Sequence, residues 1–176
     1  MAAARCEAPP GGQHRSGVRE PVQRALRHRG DRAAVPVPVR SGYDGHTTVV
    51  LFSYGRQVNA VDPATPVVAQ RDSALKSYLG TYGTDPDGDE RHIRRLREFC
   101  RELYAETDGV PVSDAHTDGS YINYPDVDLA DPRWNTSGVP WHALYFKGND
   151  AGLQRVKAVW DPQDVFRHTL SVRASD

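Results

Sequence analysis

The sequence predicts an α+β fold, a small antiparallel sheet with helices packed on it. Residues 47–54 (TTVVLFSY) are β-branched and aromatic, and residues 66–82 alternate imperfectly between two sets of side chains, as strands do. Residues 86–106 place apolar side chains at helical spacing among many charged ones. We interpret the first two stretches as antiparallel strands and the third as a surface helix.

Length and charge limit the class of protein. At 176 residues the chain can bury roughly two-thirds of its unfolded surface in one domain. Residues 1–40 hold eight arginines against three acidic residues, whereas residues 41–176 hold fourteen basic against twenty acidic residues. A basic arm can bind nucleic acid, but this one has no interleaved aromatic residues and no binding motif, so we expect no nucleic-acid partner.

The N-terminal arm is also rich in arginine, alanine, proline and glycine and poor in apolar side chains. Such a composition buries too little surface to offset the entropy of ordering the chain. We therefore expect residues 1–45 to be a basic, disordered arm. From residue 46 the composition changes to that of a folded domain.

Two cysteines are present, Cys6 and Cys100, with neither a CxxC motif nor a histidine at metal-ligand spacing. This pattern is typical of free thiols in a reducing compartment. No apolar run is long enough to span a membrane, and the basic N-terminus lacks the apolar stretch of a secretory signal. We expect a cytoplasmic protein with no membrane partner.

The predicted surface helix has recognisable ends. Thr84-Asp85-Pro86 combines a capping residue with proline at the first helical position, and Asp108-Gly109 is typical of a helix end. Its arginines are interpreted as a solvated face. Its apolar face is formed by Ile93, Leu96, Phe99, Cys100 and Leu103.

Two further segments follow near the C-terminus. Residues 139–146 are dense in aromatic side chains and are interpreted as an extended segment. Asn149-Asp150 can begin a second helix, which Asp161-Pro162 would end. The apolar stripe of that helix consists of Leu153, Val156, Val159 and Trp160.

The most unusual stretch is residues 117–129 (TDGSYINYPDVDL), in which polar side chains crowd an irregular backbone. Asp118-Gly119 indicates a turn, and a short extended run would place Tyr121 and Asn123 on one side and Ile122 and Tyr124 on the other. A phenol and a carboxamide side by side are costly to bury without partners. The stretch is therefore a candidate site, although a buried tyrosine with a satisfied hydroxyl explains it as well.

Other kinds of site are not supported by the sequence. Asp114, His116 and Asp118 alternate, and further aspartates follow, but the spacing of a calcium loop is missing and turn formation explains these residues. We therefore predict no metal ligands. The chain also has no nucleophile elbow, no phosphate loop and no dinucleotide-binding glycine motif.

Four separated motifs occur in an order and at gaps that resemble one known family. They are residues 121–129 (YINYPDVDL), 141–149 (WHALYFKGN), 153–157 (LQRVK) and 160–168 (WDPQDVFRH). Residues 54–59 (YGRQVN) and 70–72 (QRD) agree with them. Together they resemble the C-terminal end of the berberine bridge enzyme-like FAD-linked oxidases, most of all the bacterial antibiotic-tailoring branch of secondary metabolism.

The resemblance implies a fold and a chemistry. The chain would be the partial, C-terminal part of a two-domain FAD-linked oxidase. Tyr121 would be the general base and, with Asn123, a contact to the flavin, while Tyr54 would be a second catalytic candidate on the substrate side. The family's reaction would remove a proton from a substrate alcohol or C–H group, pass a hydride to FAD and use O₂ as acceptor. The substrate would be a small molecule, glycosylated or polyketide-like.

The resemblance also implies a division of the chain. Residues 46–110 would be part of the substrate domain. Residues 111–176 would be a C-terminal segment that carries the Tyr-x-Asn motif and a terminal helix and packs on an FAD domain, which this chain lacks. That domain would then be a partner. The alternative is a non-catalytic remnant or interaction module without bound flavin, which predicts exposed apolar surface around Trp134, Trp141 and Trp160.

Overall fold

A computed structural model describes residues 14–16, 43, 45–83 and 88–175 of the chain. One sheet has three antiparallel strands: β1 (His14–Ser16), β2 (His46–Ser53) and β3 (Leu75–Gly83). β3 lies between the other two and pairs with β2 along the whole of β2. The predicted antiparallel pairing is confirmed. β1 falls in the arm for which we expected disorder, and residues 1–13, 17–42 and 44 of that arm lie outside the described residues.

The second predicted strand is shorter than expected, because only its last part is regular. Residues 66–74 run as an irregular loop before β3 begins at Leu75. Gln70 and Ser73 in this loop are buried, and their side chains hydrogen-bond to segments far along the chain rather than to a neighbouring strand. Those polar contacts explain why the imperfect alternation of side chains did not become a strand.

β2 has β3 as its single partner among the described strands. Val49, Leu51 and Phe52 of β2 are exposed, and since side chains alternate along a strand they stand on both faces of the sheet. An apolar strand of this kind is usual inside a sheet and unusual at its edge.

The amphipathic helix, α1, spans Asp89–Leu103. The predicted start at residues 84–86 lies outside the described residues, and Gly88 stands directly before the first helical residue. The helix ends earlier than predicted because Ala105–Thr107 tightens into a 3₁₀ turn. Asp108 and Gly109, both with positive φ, close that turn rather than α1 itself.

α1 packs on β3 through a small core made by Leu96, Phe99, Cys100 and Leu79. The interpretation of its arginines as a solvated face was wrong at Arg95. That side chain is buried, and its guanidinium carbon lies 5.7 Å from the centre of the Phe99 ring. An arginine can be accommodated there because its planar guanidinium stacks on aromatic faces.

Arg97 is a second arginine that the solvated-face interpretation missed. Its Nε and Nη2 donate to the two carboxylate oxygens of Asp128 at 2.7 and 2.8 Å, and Asp128 is buried. The Arg97 guanidinium also lies 4.5 Å from the ring centre of Trp134, and Arg101 lies 5.0 Å from it. α1 is therefore joined to the C-terminal part of the chain by a bidentate ion pair and by cation–π contacts.

We expect Arg97→Ala to lower the free energy of unfolding by about 3 kcal/mol. The loss lies at the low end for breaking a buried ion pair because Arg97 itself is partly exposed. The measurement is urea denaturation of the full chain, followed by tryptophan fluorescence. Arg101→Ala is the matched control, since it removes a stacking contact on the same Trp134 and should cost about 0.5–1 kcal/mol. Equal losses in the two variants would contradict the role assigned to the Asp128 pair.

The C-terminal part contains two helices, α2 (Trp141–Phe146) and α3 (Asp150–Trp160). The extended segment predicted for residues 139–146 was wrong: six of these residues form a helical turn and a half, and Leu144, Tyr145 and Phe146 enter the core. The second predicted helix is confirmed, with Asn149 before it and Asp161 after it. The core cluster here consists of Val110, Leu129, Leu144, Tyr145, Phe146 and Leu170.

Leu153 of the apolar stripe of α3 packs against this core, whereas the rest of the stripe faces outward. Val159 is 72% exposed and Trp160 81%, and Phe166 just beyond the helix is 80% exposed. Asp161 fastens the segment after the helix, since its carboxylate accepts from the backbone N–H of Val165 at 2.8 Å and of Phe166 at 3.1 Å. We call Val156, Val159, Trp160, Val165 and Phe166 the α3 apolar face. No helix within the described residues is long and apolar enough to cross a membrane.

Candidate active site

Tyr121 and Asn123 lie together, as predicted, but on a turn rather than on an extended run. The Asn123 side-chain N–H donates to the Tyr121 hydroxyl oxygen at 2.8 Å. The Tyr124 backbone N–H donates to the Tyr121 carbonyl at 3.0 Å, which closes the turn. The predicted alternation was therefore wrong for Tyr124, whose ring centre lies 5.9 Å from that of Tyr121 instead of on the opposite side.

Lys76 stands over this turn. Its ammonium nitrogen lies 3.5 Å from the ring centre of Tyr121 and 5.3 Å from that of Tyr124. Tyr78, two residues further along β3 and so on the same face, packs its ring edge-on against Tyr124 at 5.7 Å. Sequence reasoning missed Lys76, because its partner is 45 positions away and only the face of β3 that it shares with Tyr78 hints at a common surface.

Buried contacts hold the backbone directly before Tyr121. The Ser120 N–H donates to the Leu144 carbonyl at 2.8 Å. The Gln70 side-chain amide donates to the Ser120 carbonyl at 2.7 Å and to the Tyr145 carbonyl at 2.8 Å. Gly119 has φ +85°, and a Cβ there would lie 2.4 Å from the Leu144 carbonyl oxygen. Tyr121 is thus placed by close packing of its own loop against the end of α2.

Tyr54 contacts the same Gln70 loop. It is half-buried, and its hydroxyl donates to the Gln70 carbonyl at 3.3 Å. Burial raises the pKa of the Tyr54 phenol above its ordinary value, and the charges of Tyr121 and Asp118 raise it further, against a lowering by Arg71. Tyr54 therefore keeps its proton at neutral pH and acts as a hydrogen-bond donor.

We expect Tyr54 to ionise above pH 10. Subtracting the alkaline absorbance titration of Tyr54→Phe from that of the native chain should leave one phenol that titrates above this value, whereas in denaturant the same difference should titrate at about 10. Because the folded pKa is raised, the stability from this group is present below pH 10 and is lost as the pH rises towards the folded pKa. A native difference curve centred at or below 10 would contradict the burial of Tyr54.

The described residues do not form a metal centre. Within residues 45–83 and 88–175, no group of histidine, cysteine, aspartate and glutamate side chains is arranged to hold a metal ion. Asp114, one of the alternating acidic residues, instead accepts from the backbone N–H groups of His116 and Thr117 at 2.6 and 2.7 Å. These bonds lower the pKa of the Asp114 carboxyl, opposing the effect of its partial burial, which is the largest single influence and raises it.

Comparison with known proteins identifies the family. Residues 120–173 match the family model described as berberine and berberine like. Aclacinomycin-N/aclacinomycin-A oxidase of Streptomyces galilaeus is 56% identical over 125 residues, which cover 71% of this chain and 23% of the oxidase. The chain carries a segment of the berberine bridge enzyme-like family of FAD-linked oxidoreductases. The resemblance predicted from the four motifs is confirmed.

Solved structures of berberine bridge enzyme-like proteins support the same assignment. Aclacinomycin oxidoreductase superposes with a TM-score of 0.72 at 52% identity. The superposed part is 76% of this chain and 27% of the oxidoreductase. A glycopeptide hexose oxidase complexed with teicoplanin superposes with a TM-score of 0.69 at 51% identity, covering 71% and 25%. The predicted α+β fold, as part of a larger FAD-linked oxidase, is confirmed. The chain spans about a quarter of the length of the curated relatives it matches, such as the 23% it covers of Chondrus crispus hexose oxidase.

Proposed function

We propose that this chain forms the tyrosine-bearing part of an FAD-dependent oxidoreductase, in which Tyr121 is the general base. The observation that carries the proposal is the contact set of the Tyr121 phenol. Its oxygen accepts from Asn123, and the Lys76 ammonium covers its ring. Both groups stabilise negative charge on the phenol, which a tyrosine needs in order to accept a proton.

The residues present suit one part of the cofactor. Because Asn123 donates to the Tyr121 oxygen, the phenol proton is left to point away from that bond, and the exposed Asn123 amide keeps further donor and acceptor capacity. Such a pair fits the polar edge of an isoalloxazine ring. The described residues contain no glycine-rich phosphate loop, so the rest of FAD would have to be held by another part of the protein.

When bound beside Tyr121 and Asn123, FAD would supply the acceptor for a hydride from the substrate alcohol or C–H group, with O₂ as the final oxidant and hydrogen peroxide as its product. The residues of this chain orient the reacting groups and transfer protons. Tyr121 takes the substrate proton on its phenol oxygen once it has given up its own, and Asn123 orients that oxygen. Tyr54, which stays protonated, gives its one O–H to the Gln70 carbonyl, so its oxygen is left to accept a hydrogen bond on the substrate side.

We infer a glycosylated or polyketide-like small molecule as the substrate. Two structural neighbours support this choice: one is an oxidoreductase of aclacinomycin, and the other was solved in complex with teicoplanin. Nucleic acid is not proposed as a partner, since the surface over the site is aromatic with a single lysine rather than a basic groove.

We further propose that an FAD-binding polypeptide covers the α3 apolar face. Five large apolar side chains in eleven consecutive positions are more than a monomer surface normally leaves in water. They lie in the segment that matches the family, and the part of this chain that matches the Streptomyces galilaeus oxidase covers 23% of that protein. In this arrangement residues 46–110 belong to the substrate domain, and residues 111–176 pack on the FAD domain.

The test has two arms. The purified chain should bind no stoichiometric FAD, as measured by absorbance at flavin wavelengths. A chimera, in which residues 45–175 replace the matching quarter of the Streptomyces galilaeus oxidase, should retain flavin and release hydrogen peroxide with a glycosylated polyketide substrate. A folded, flavin-loaded chimera without activity would contradict the proposed function.

The second candidate is a non-catalytic interaction module. The exposure of Trp160 supports such a module as much as it supports packing on an FAD domain. The other two tryptophans named for this alternative behave differently: Trp134 lies beneath Arg97 and Arg101, and Trp141 packs edge-on against Tyr145. The inactive chimera described above, together with pull-down of a partner that carries no flavin, is the result expected of such a module.

A further inference from the structure

Asp118 is a buried carboxylate three residues before Tyr121, with 5% of its side chain exposed. Its Oδ2 accepts from the Asp72 backbone N–H at 3.1 Å and from the Ser73 hydroxyl at 2.9 Å. Its Oδ1 forms an ion pair with the ammonium of Lys147. One side chain thus ties together the loop before β3, the loop that carries Tyr121 and the end of α2.

Lys147 sits at an unusual point of the backbone. It directly follows α2 and has φ +51°, a conformation that residues with side chains rarely adopt. A glycine would suit this position without strain. A lysine there indicates that its ammonium group, rather than its backbone preference, is what the structure uses.

An ion pair on a buried carboxylate is a poor choice if stability alone is required, even with the Lys147 side chain 27% exposed. Well-packed apolar side chains of similar volume are often as stable, because at least one charge must be removed from water. A charged pair does fix a geometry, since its hydrogen bonds are directional and its partners must meet in one arrangement. The pair lies in the stretch of chain that positions Tyr121. Asp118 pairs with Lys147 at the end of α2, and the backbone of residues 119 and 120 packs against Leu144 of α2.

We infer that Asp118, through Lys147, is a positioning residue that holds the Tyr121 phenol beneath the Lys76 ammonium. The inference rests on the proposed function only in taking Tyr121 as the reacting group. The inference predicts that the Asp118 carboxylate controls the contact between Lys76 and Tyr121. The hydrogen bonds of Asp118 described above go to other residues.

The test follows the Tyr121 ring by NMR in the full chain carrying ¹³C-labelled tyrosine, with the Tyr121 resonances assigned from Tyr121→Phe. In the native chain, Lys76→Met should move these resonances, which reports the contact. Asp118→Asn should itself move or broaden them, and Lys76→Met should then change them by less than half as much. Asp114→Asn is the matched control: Asp114 is an exposed aspartate in the same loop whose bonds are local, so the Tyr121 resonances should stay in place.

The inference is overturned if folded Asp118→Asn keeps native Tyr121 resonances with their full dependence on Lys76, or if Asp114→Asn disturbs them equally. Should Asp118→Asn not fold, Lys147→Met decides by the same criteria, because it leaves Asp118 its bonds to Asp72 and Ser73. The measurement needs no flavin and no turnover. An inactive chimera would therefore count against the proposed function while leaving this result to stand or fall separately.

Discussion

Tyr121→Phe in the flavin-loaded chimera should lower kcat by about 10²–10⁴, the usual contribution of a positioned acid–base group. Phenylalanine keeps the ring beneath Lys76 but removes the oxygen that accepts from Asn123 and would accept the substrate proton. Steady-state release of hydrogen peroxide measures the effect.

Tyr145→Phe is the matched control for this experiment. Its hydroxyl is buried and accepts from the Asp126 backbone N–H at 2.8 Å, so its loss affects structure rather than chemistry. We expect it to lower stability by about 1–2 kcal/mol and to leave kcat close to the native value. A Tyr121→Phe enzyme with native kcat would remove Tyr121 from the mechanism.

Gly119→Ala should be the most destabilising single substitution in the candidate site, with a loss of about 3–5 kcal/mol. Two costs add at this position. The backbone has φ +85°, which disfavours any side chain, and the new methyl group would lie 2.4 Å from the Leu144 carbonyl oxygen. Since that atom belongs to the backbone of α2, it cannot rotate away. Urea denaturation of the full chain measures the loss.

Gly138→Ala separates the two costs. Gly138 has φ +75°, but nothing lies within 4 Å of a Cβ built there. The conformational cost alone should then remain, about 1–2 kcal/mol. If the two variants lost the same stability, the close approach of the Tyr121 loop to α2 would not be a real constraint.

Local patterns predicted the parts of the fold that depend on local chemistry. α1 follows from the spacing of Leu96, Phe99 and Cys100, and α3 from its stripe and from Asp161, which ends it. α2 was missed because its residues, apolar almost without interruption, show neither helical nor strand periodicity. The role of Arg97 depends on Asp128 elsewhere in the chain, and that of Arg95 on stacking against Phe99 of the same helix, and charge patterning along a helix reveals neither.

The candidate site was predicted in the same uneven way. Motif resemblance pointed to Tyr121, Asn123 and Tyr54, and the turn at residues 121–124 brings the first two into contact. The residues that surround them, Gln70 and Lys76, come from a loop and a strand about 50 positions earlier. Such contacts are properties of tertiary packing, so one sequence without its fold does not contain a visible trace of them.

The side of β2 on which no described strand lies bears on how the isolated chain behaves at high concentration. Residues 46–53 carry no formally charged side chain at pH 7 with histidine neutral, and no proline or lysine, the residues that usually guard an edge against pairing with another molecule. With apolar side chains standing on both faces, this strand is a template for intermolecular β-assembly. We therefore expect a dilute solution to favour the folded monomer over an aggregate.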